Sequence, residues 1–152
     1  MSIFKHFCRF IVLWVIFGLC YAGMEILYRG YTFIEMVWIG GLCGVLVGLL
    51  NQMPIFSSLR IWQQSFIGTG ITILIEFVSG YIFNIQMHLN LWNYNNIPLN
   101  FMGQICLRAA IAWFFLMPFV IYLDDWLRWK LFNEPRPNGN LLSNYAALLR
   151  GE

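Results

Sequence analysis

The chain has 152 residues, of which 60% are apolar, 18% aromatic and only 11% charged, with a formal net charge of +2. Soluble domains carry about a quarter charged residues, so this composition, with a mean hydropathy of +0.67, excludes a disordered chain and an ordinary soluble enzyme. It predicts a small polytopic membrane protein of one domain.

A bilayer core about 30 Å thick takes about 20 apolar residues in a helix. Lipid offers backbone groups no partners, so helices are expected. The first such segment runs from Phe10 to Leu27. Lys5 and Arg9 precede it, and Glu25 and Arg29 lie one turn apart at its far end. Phe17-Gly18-Leu19-Cys20 lacks the small residue a lipoprotein site needs before its cysteine, and Cys20-x-Ala22 is a poor signal-peptidase site. The segment therefore reads as a retained span.

The second segment runs from Phe33 to Leu50 and opens with Glu35. Gly40, Gly44 and Gly48 follow at intervals of four, with Gly41 beside them. Such a ridge lets another helix approach closely, either within the chain or from a second copy in a homo-oligomer.

Arg60 separates it from the third segment, Trp62 to Ile85. Ser65, Gly68, Thr72, Glu76, Gly80 and Asn84 recur there at spacings of three and four, on one helix face. A glutamate near the membrane centre is costly when it faces lipid. This face is expected to turn inward, toward the glycine ridge of the second span or a central cavity. Gly68 and Gly80 would serve the packing.

The loop from Gln86 to Gln104 contains five asparagines, with Leu89, Leu91 and Trp92 among them. Asparagines bond their own turns, and the leucines and aromatics would hold the loop against the membrane. It reads as a lid over the bundle or as a binding loop offering uncharged amides to a ligand.

The fourth segment, Ile105 to Leu123, carries Arg108 at its start and meets Asp124 and Asp125 at its end. Glu25, Glu35, Glu76, Arg29 and Arg108 are thus expected in the outer half of the bundle, leaving the inner half nearly uncharged. An ionisable residue inside a membrane points to function. The competing reading has Glu25 and Glu76 pairing with Arg29 and Arg108 only to fix helix register.

Residues 128–152 differ in composition and read as a cytoplasmic tail behind a membrane domain of residues 1–127. Glu134-Pro135-Arg136-Pro137-Asn138-Gly139 breaks any helix. Leu141, Leu142, Tyr145, Leu148 and Leu149 then return at near-helical spacing. This short helix would lie on the inner membrane face or dock a cytoplasmic partner.

Alternating spans put Lys5, Arg9, Arg60, Arg128, Lys130, Arg136 and Arg150 on one side, against Arg29 and Arg108 on the other. That asymmetry predicts a multi-pass protein of the cytoplasmic membrane with both termini inside. Met24-Glu25-Ile26-Leu27-Tyr28-Arg29-Gly30-Tyr31 also echoes Ile75-Glu76-Phe77-Val78-Ser79-Gly80-Tyr81 with one residue dropped, which suggests a parallel duplication of a two-helix unit.

Several chemistries lack their residues. His6 and His88 would lie on opposite sides of the membrane, there is no Cys-x-x-Cys, and Cys8, Cys20, Cys43 and Cys106 read as small apolar residues. No metal site, cofactor, hydrolase elbow or metalloprotease helix is predicted. The modest positive charge suits anionic lipid rather than nucleic acid.

Trp92-Asn93-Tyr94-Asn95, with Pro98, Asn100, Gly103, Ile105-Cys106-Leu107 and Trp113, resembles the putative ABC-transporter type IV, or CmpB-like, family of bacterial membrane proteins. The resemblance also takes in Glu25, Gly30, Glu76, Gly80 and Asn84, over roughly residues 14 to 125. The chain departs from it with Asn93 where the family has aspartate and Asn95 where it has serine. A role for that aspartate as a carboxylate would be lost here, and a hydrogen-bonding role would survive. The family name implies an ABC permease. The chain has no Walker-type loop, so it would need a separate ATPase or another membrane subunit.

The sequence thus predicts an all-α protein of four transmembrane helices acting as a small permease-like or substrate-binding subunit. Its outward site would use Glu25, Arg29, Glu76, Asn84, Trp92, Asn100, Gln104 and Arg108, with no catalytic residue assigned. The alternatives are a non-catalytic assembly subunit and a membrane-embedded enzyme acting on a lipid-linked substrate.

Overall fold

The computed structural model describes residues 3–152. Helix α1 spans Ile3–Arg29, α2 Ile34–Asn51, the single turn α3 Pro54–Ser57, and α4 Ile61–Gly80, which continues as a π-helical stretch over Tyr81–Gln86. Two-residue strands β1 (Asn100–Phe101) and β2 (Ile105–Cys106) pair antiparallel and lead into α5, Leu107–Phe132. A final helix, α6, covers Leu141–Arg150. Helices α1, α2, α4 with its extension, and α5 are each long and apolar enough to cross a membrane. The chain is an all-α, multi-pass membrane protein.

The glycine ridge explains why α2 is the central helix. Gly40, Gly41 and Gly44 press on Tyr21, Trp14 and Phe17 of α1, leaving no room for a Cβ, while Gly48 abuts the Asp124 carboxylate of α5. Close backbone approach of this kind gives tight packing in lipid, where apolar burial drives little. The ridge therefore meets α1 and α5, not the polar face of α4, and its glycines are buried by the chain's own helices. That corrects the expected meeting with α4: the ridge's close partners are α1 and α5 of the same chain.

The polar stripe of α4 does turn inward. Ser65, Thr72, Glu76 and Asn84 are all buried. Gly68 packs against Met117 of α5 and Val47 of α2, and Gly80 against Gln104 and Trp92 of the loop. Large apolar residues on the opposite side, including Phe66, Leu74 and Val78, are exposed, as a lipid-facing surface requires.

The opposite end of the bundle is not uncharged. Helix α5 runs nine residues past the predicted end of its span, and the extra turns carry an ion-pair chain. Asp124, fully buried, accepts from Arg128 Nε at 2.8 Å. Glu134 lies 3.9 Å from Arg128 and accepts from Arg9 Nη1 at 2.9 Å, and Asn51 donates to Asp125 at 2.8 Å. These contacts tie the start of α1 and the end of α2 to the end of α5.

Asn133, in the left-handed region, ends α5, and the proline-containing segment turns the chain back. Asn140 and Ser143 then cap α6 reciprocally. The helix packs against α4 and α5. Tyr145 Oη donates to the Phe115 carbonyl at 2.9 Å, in the stretch of α5 that Pro118 disrupts, and the Ile61 amide donates to Glu152 O. Residue 115 precedes residue 132 by 17 positions, about 25 Å of helix, so the tail folds back well along the bundle. Leu148 is buried while Leu142 and Leu149 face outward.

Candidate functional site

The loop end of the bundle is built around Asn84. A π-helical stretch carries an extra residue per turn and marks functional positions more often than chance; here it sets Asn84 in a buried place between α4 and the loop. Asn84 Nδ2 donates to Gln104 Oε1 at 2.9 Å, and its Oδ1 accepts from the Leu91 amide at 2.6 Å. Trp92 Nε1 donates to the Gln104 carbonyl at 2.9 Å. Gly80 lies directly beneath, with Gln104 and Trp92 where a side chain would stand. These residues form a clasp that seats the loop on α4.

The asparagines shape the rest of the loop. Asn93 Oδ1 accepts from the Asn95 amide at 2.8 Å, a bond that an aspartate would make equally. Asn100 accepts from Gly103 N at 3.0 Å and donates to the Ile97 carbonyl at 2.8 Å. Gly103, at φ +68°, is pressed by the Asn93 and Asn95 side chains and admits no Cβ.

Two acids close the arrangement in different ways. Glu76 accepts from Tyr94 Oη at 2.9 Å. Burial and the neighbouring Glu76 carboxylate raise the pKa of Tyr94 above the ordinary tyrosine range, which keeps that donor protonated. Glu25 accepts from Arg29 Nη2 and from Thr32 Oγ1, each at 2.8 Å. Arg29 also donates to the Leu91 carbonyl at 2.8 Å and lies over the rings of Tyr31 and Phe33.

Between these groups lies a chamber of about 710 Å³, lined among others by Glu25, Tyr28, Arg29, Asn93, Tyr94 and Trp113. That is the size of a small-molecule site. Of the residues predicted for a site, Glu25, Arg29 and Trp92 reach its wall. Asn84, Asn100 and Gln104 shape and hold the loop, and Glu76 stands behind Tyr94. Arg108 is not brought in: helix α5 starts at Leu107, directly after β2, and Arg108 is exposed on its first turn. Among the described residues it forms no ion pair with Glu25 or Glu76. Pairing of both acids with arginines thus holds for Glu25 and fails for Glu76.

The sequence pattern gives Tyr21 and Tyr28 no role, and Tyr94 and Trp113 only a place in the family motif. Tyr21 stacks on Trp113 with ring centroids 5.6 Å apart, joining α1 to α5 below the chamber. Tyr21 sits one turn before Glu25, and Tyr94 lies inside the Trp-Asn-Tyr-Asn motif, so the signal was present without a contact to interpret it.

The family model described as putative ABC-transporter type IV matches residues 11–144 of the chain. No curated protein and no solved structure matches it.

Proposed function

Because the chain belongs to the putative ABC-transporter type IV family, a small transport-related membrane protein, we propose that it is a permease-like, substrate-binding subunit whose loop end faces outward. The observation that carries this reading is the chamber between α1, α5 and the loop. Among the described residues its charged walls are Glu25 and Arg29, joined to each other, and its remaining polar groups are asparagine amides, tyrosine hydroxyls and tryptophan indoles. The clasp holds the loop in place, so the chamber is preformed and suited to binding.

Seven of the nine basic residues fall at or beyond the end that carries both termini, which supports a cytoplasmic membrane protein with both termini inside. A chain without a nucleotide-binding loop draws on a separate ATPase or another energised subunit. The assembly reading loses its main support, since the glycine ridge is used up inside the bundle.

Gentle extraction from the host at natural expression, followed by native mass spectrometry, tests this. A co-purifying ATPase or membrane subunit is expected. A lone chain without any bound partner would overturn the subunit reading.

A further inference from the structure

A second cavity, of about 360 Å³, adjoins the chamber and is almost wholly apolar, with Phe17, Leu27, Leu116, Phe119, Val120 and Leu123 in its wall. The two share Tyr21, Met24, Trp113 and Leu116, so they form one bent cleft, polar at the loop end and apolar toward the middle of the spans. Its origin is visible in the packing. Helix α1 lies along α2 throughout and touches α5 only sparsely, because the glycines that draw helices together are on the α2 side. Gly23, on the α1 wall, has nothing within 4 Å of where its Cβ would be. The stacked Tyr21–Trp113 pair stands where the polar and apolar halves meet.

The polar half says what sort of head it takes. The Glu25–Arg29 pair contributes no net charge, and each already has a partner. What remains are amides of Asn90 and Asn93, the hydroxyl of Tyr28, the exposed ring of Tyr31, and the Arg29 Nε, which is buried without a partner among the described residues. Amides and a hydroxyl beside aromatic faces, with a guanidinium whose charge Glu25 already balances, suit a polyhydroxylated head, whose oxygens can also accept from Arg29 Nε, rather than an anion or a cation. The apolar half suits a hydrocarbon chain in contact with the bilayer.

We propose that this cleft binds an amphiphile, with its hydrocarbon chain between α1 and α5 and an uncharged polyhydroxylated head in the chamber at Tyr28, Asn90 and Asn93. The inference rests on the reading of the chamber as the substrate site and names the substrate class. Entry is lateral, from the lipid, through the gap between α1 and α5.

The full chain in phosphatidylcholine nanodiscs is photolabelled with a dodecyl glucoside carrying a diazirine in its tail, and separately with the same tail on a sulfate head. Expected are saturable glucoside adducts mapping to Leu27, Leu116, Phe119 or Leu123, at least tenfold above the sulfate probe. Gly23→Phe, which fills the open space, should lower the yield at least tenfold; Gly23→Leu replaces it if the larger variant does not fold. Equal labelling by both heads, or undiminished labelling of a folded Gly23 variant, overturns the proposal. If labelling fails in this way while Glu25→Gln still abolishes the chain's activity in its host, the amphiphile falls and the chamber stands. If labelling behaves as expected but neither variant alters the host phenotype, the cleft binds amphiphile and the transport reading of the chamber falls.

Discussion

Tyr94 Oη donates to Glu76 Oε1 at 2.9 Å, so a loop residue supplies the hydrogen bond of a carboxyl group buried in the third span. Glu76 Oε2 has no close hydrogen bond among the described residues; the Trp113 side chain also bears on the carboxyl group, and Tyr94 makes its one short bond. Tyr94→Phe keeps the ring and removes only that bond. Leaving a buried polar group unsatisfied costs about 1–3 kcal/mol, so the variant should melt several degrees below the parent in detergent. In a Glu76→Gln background the same substitution should cost measurably less, because an amide tolerates burial better than a carboxylate. Equal losses in both backgrounds, read from a double-variant thermal cycle, would show that the two side chains are not coupled.

The glycines divide by what lies against them. Gly41 and Gly44 meet Trp14 and Phe17 at distances that exclude a methyl group, whereas Gly70 faces open space on α4. Gly44→Ala should force α1 from α2 and destabilise by about 1–3 kcal/mol, the usual cost of overpacking. Gly70→Ala should be neutral or stabilise by up to about 1 kcal/mol through helix propensity alone. Thermal melts of the two variants side by side check this, and similar losses in both would contradict the assigned packing.

Much of the fold was legible because it follows from two strong rules. Long apolar runs become spans, and a face carrying Ser65, Thr72 and Glu76 must turn from lipid. The sequence could not say which helix the Gly40–Gly48 ridge would meet, since small residues specify closeness and not the partner. Arg108 does begin the fourth span, as expected, but its side chain is exposed rather than turned to the acids, a direction that a hydropathy pattern does not give. The ion-pair chain at Asp124 has a related origin: α5 continues past the apolar run, so Arg128, read as the first tail residue, is helical and buried against Asp124. The asparagine-rich loop could be seen to be special, but its clasp depends on a π-helical stretch no residue pattern announces.

That clasp has a dynamic consequence. Asn84 supplies both a donor to Gln104 and an acceptor for the Leu91 amide. Asn84→Ala removes both and with them the seat of the loop on the end of the third span. Backbone amides of Leu91, Tyr94 and Gln104 should exchange with deuterium at least tenfold faster, while amides in the middle of α2 stay unchanged. Asn84→Asp keeps the acceptor and loses the donor, so it should protect Leu91 partly and free Gln104. Uniform acceleration across the bundle would instead mean that Asn84 supports the whole fold.

The other end offers the sharpest energetic contrast. Asp124 is fully buried against Gly48, and Arg128 is its ion-pair partner at 2.8 Å. Arg128→Met leaves that carboxylate buried with Gln52 as a hydrogen-bond partner but no countercharge, and removing one partner of a buried pair costs about 3–5 kcal/mol. It also removes one of the two arginines facing Glu134. Adding Asp124→Asn to Arg128→Met should recover most of the loss, because replacing both charges removes the desolvation cost together with the attraction. Arg9→Met should cost far less, since the Arg9–Glu134 pair is partly exposed. The measurement is the melting temperature of the three variants in one detergent. A double variant as unstable as Arg128→Met alone would mean that Arg128 acts through packing rather than through charge.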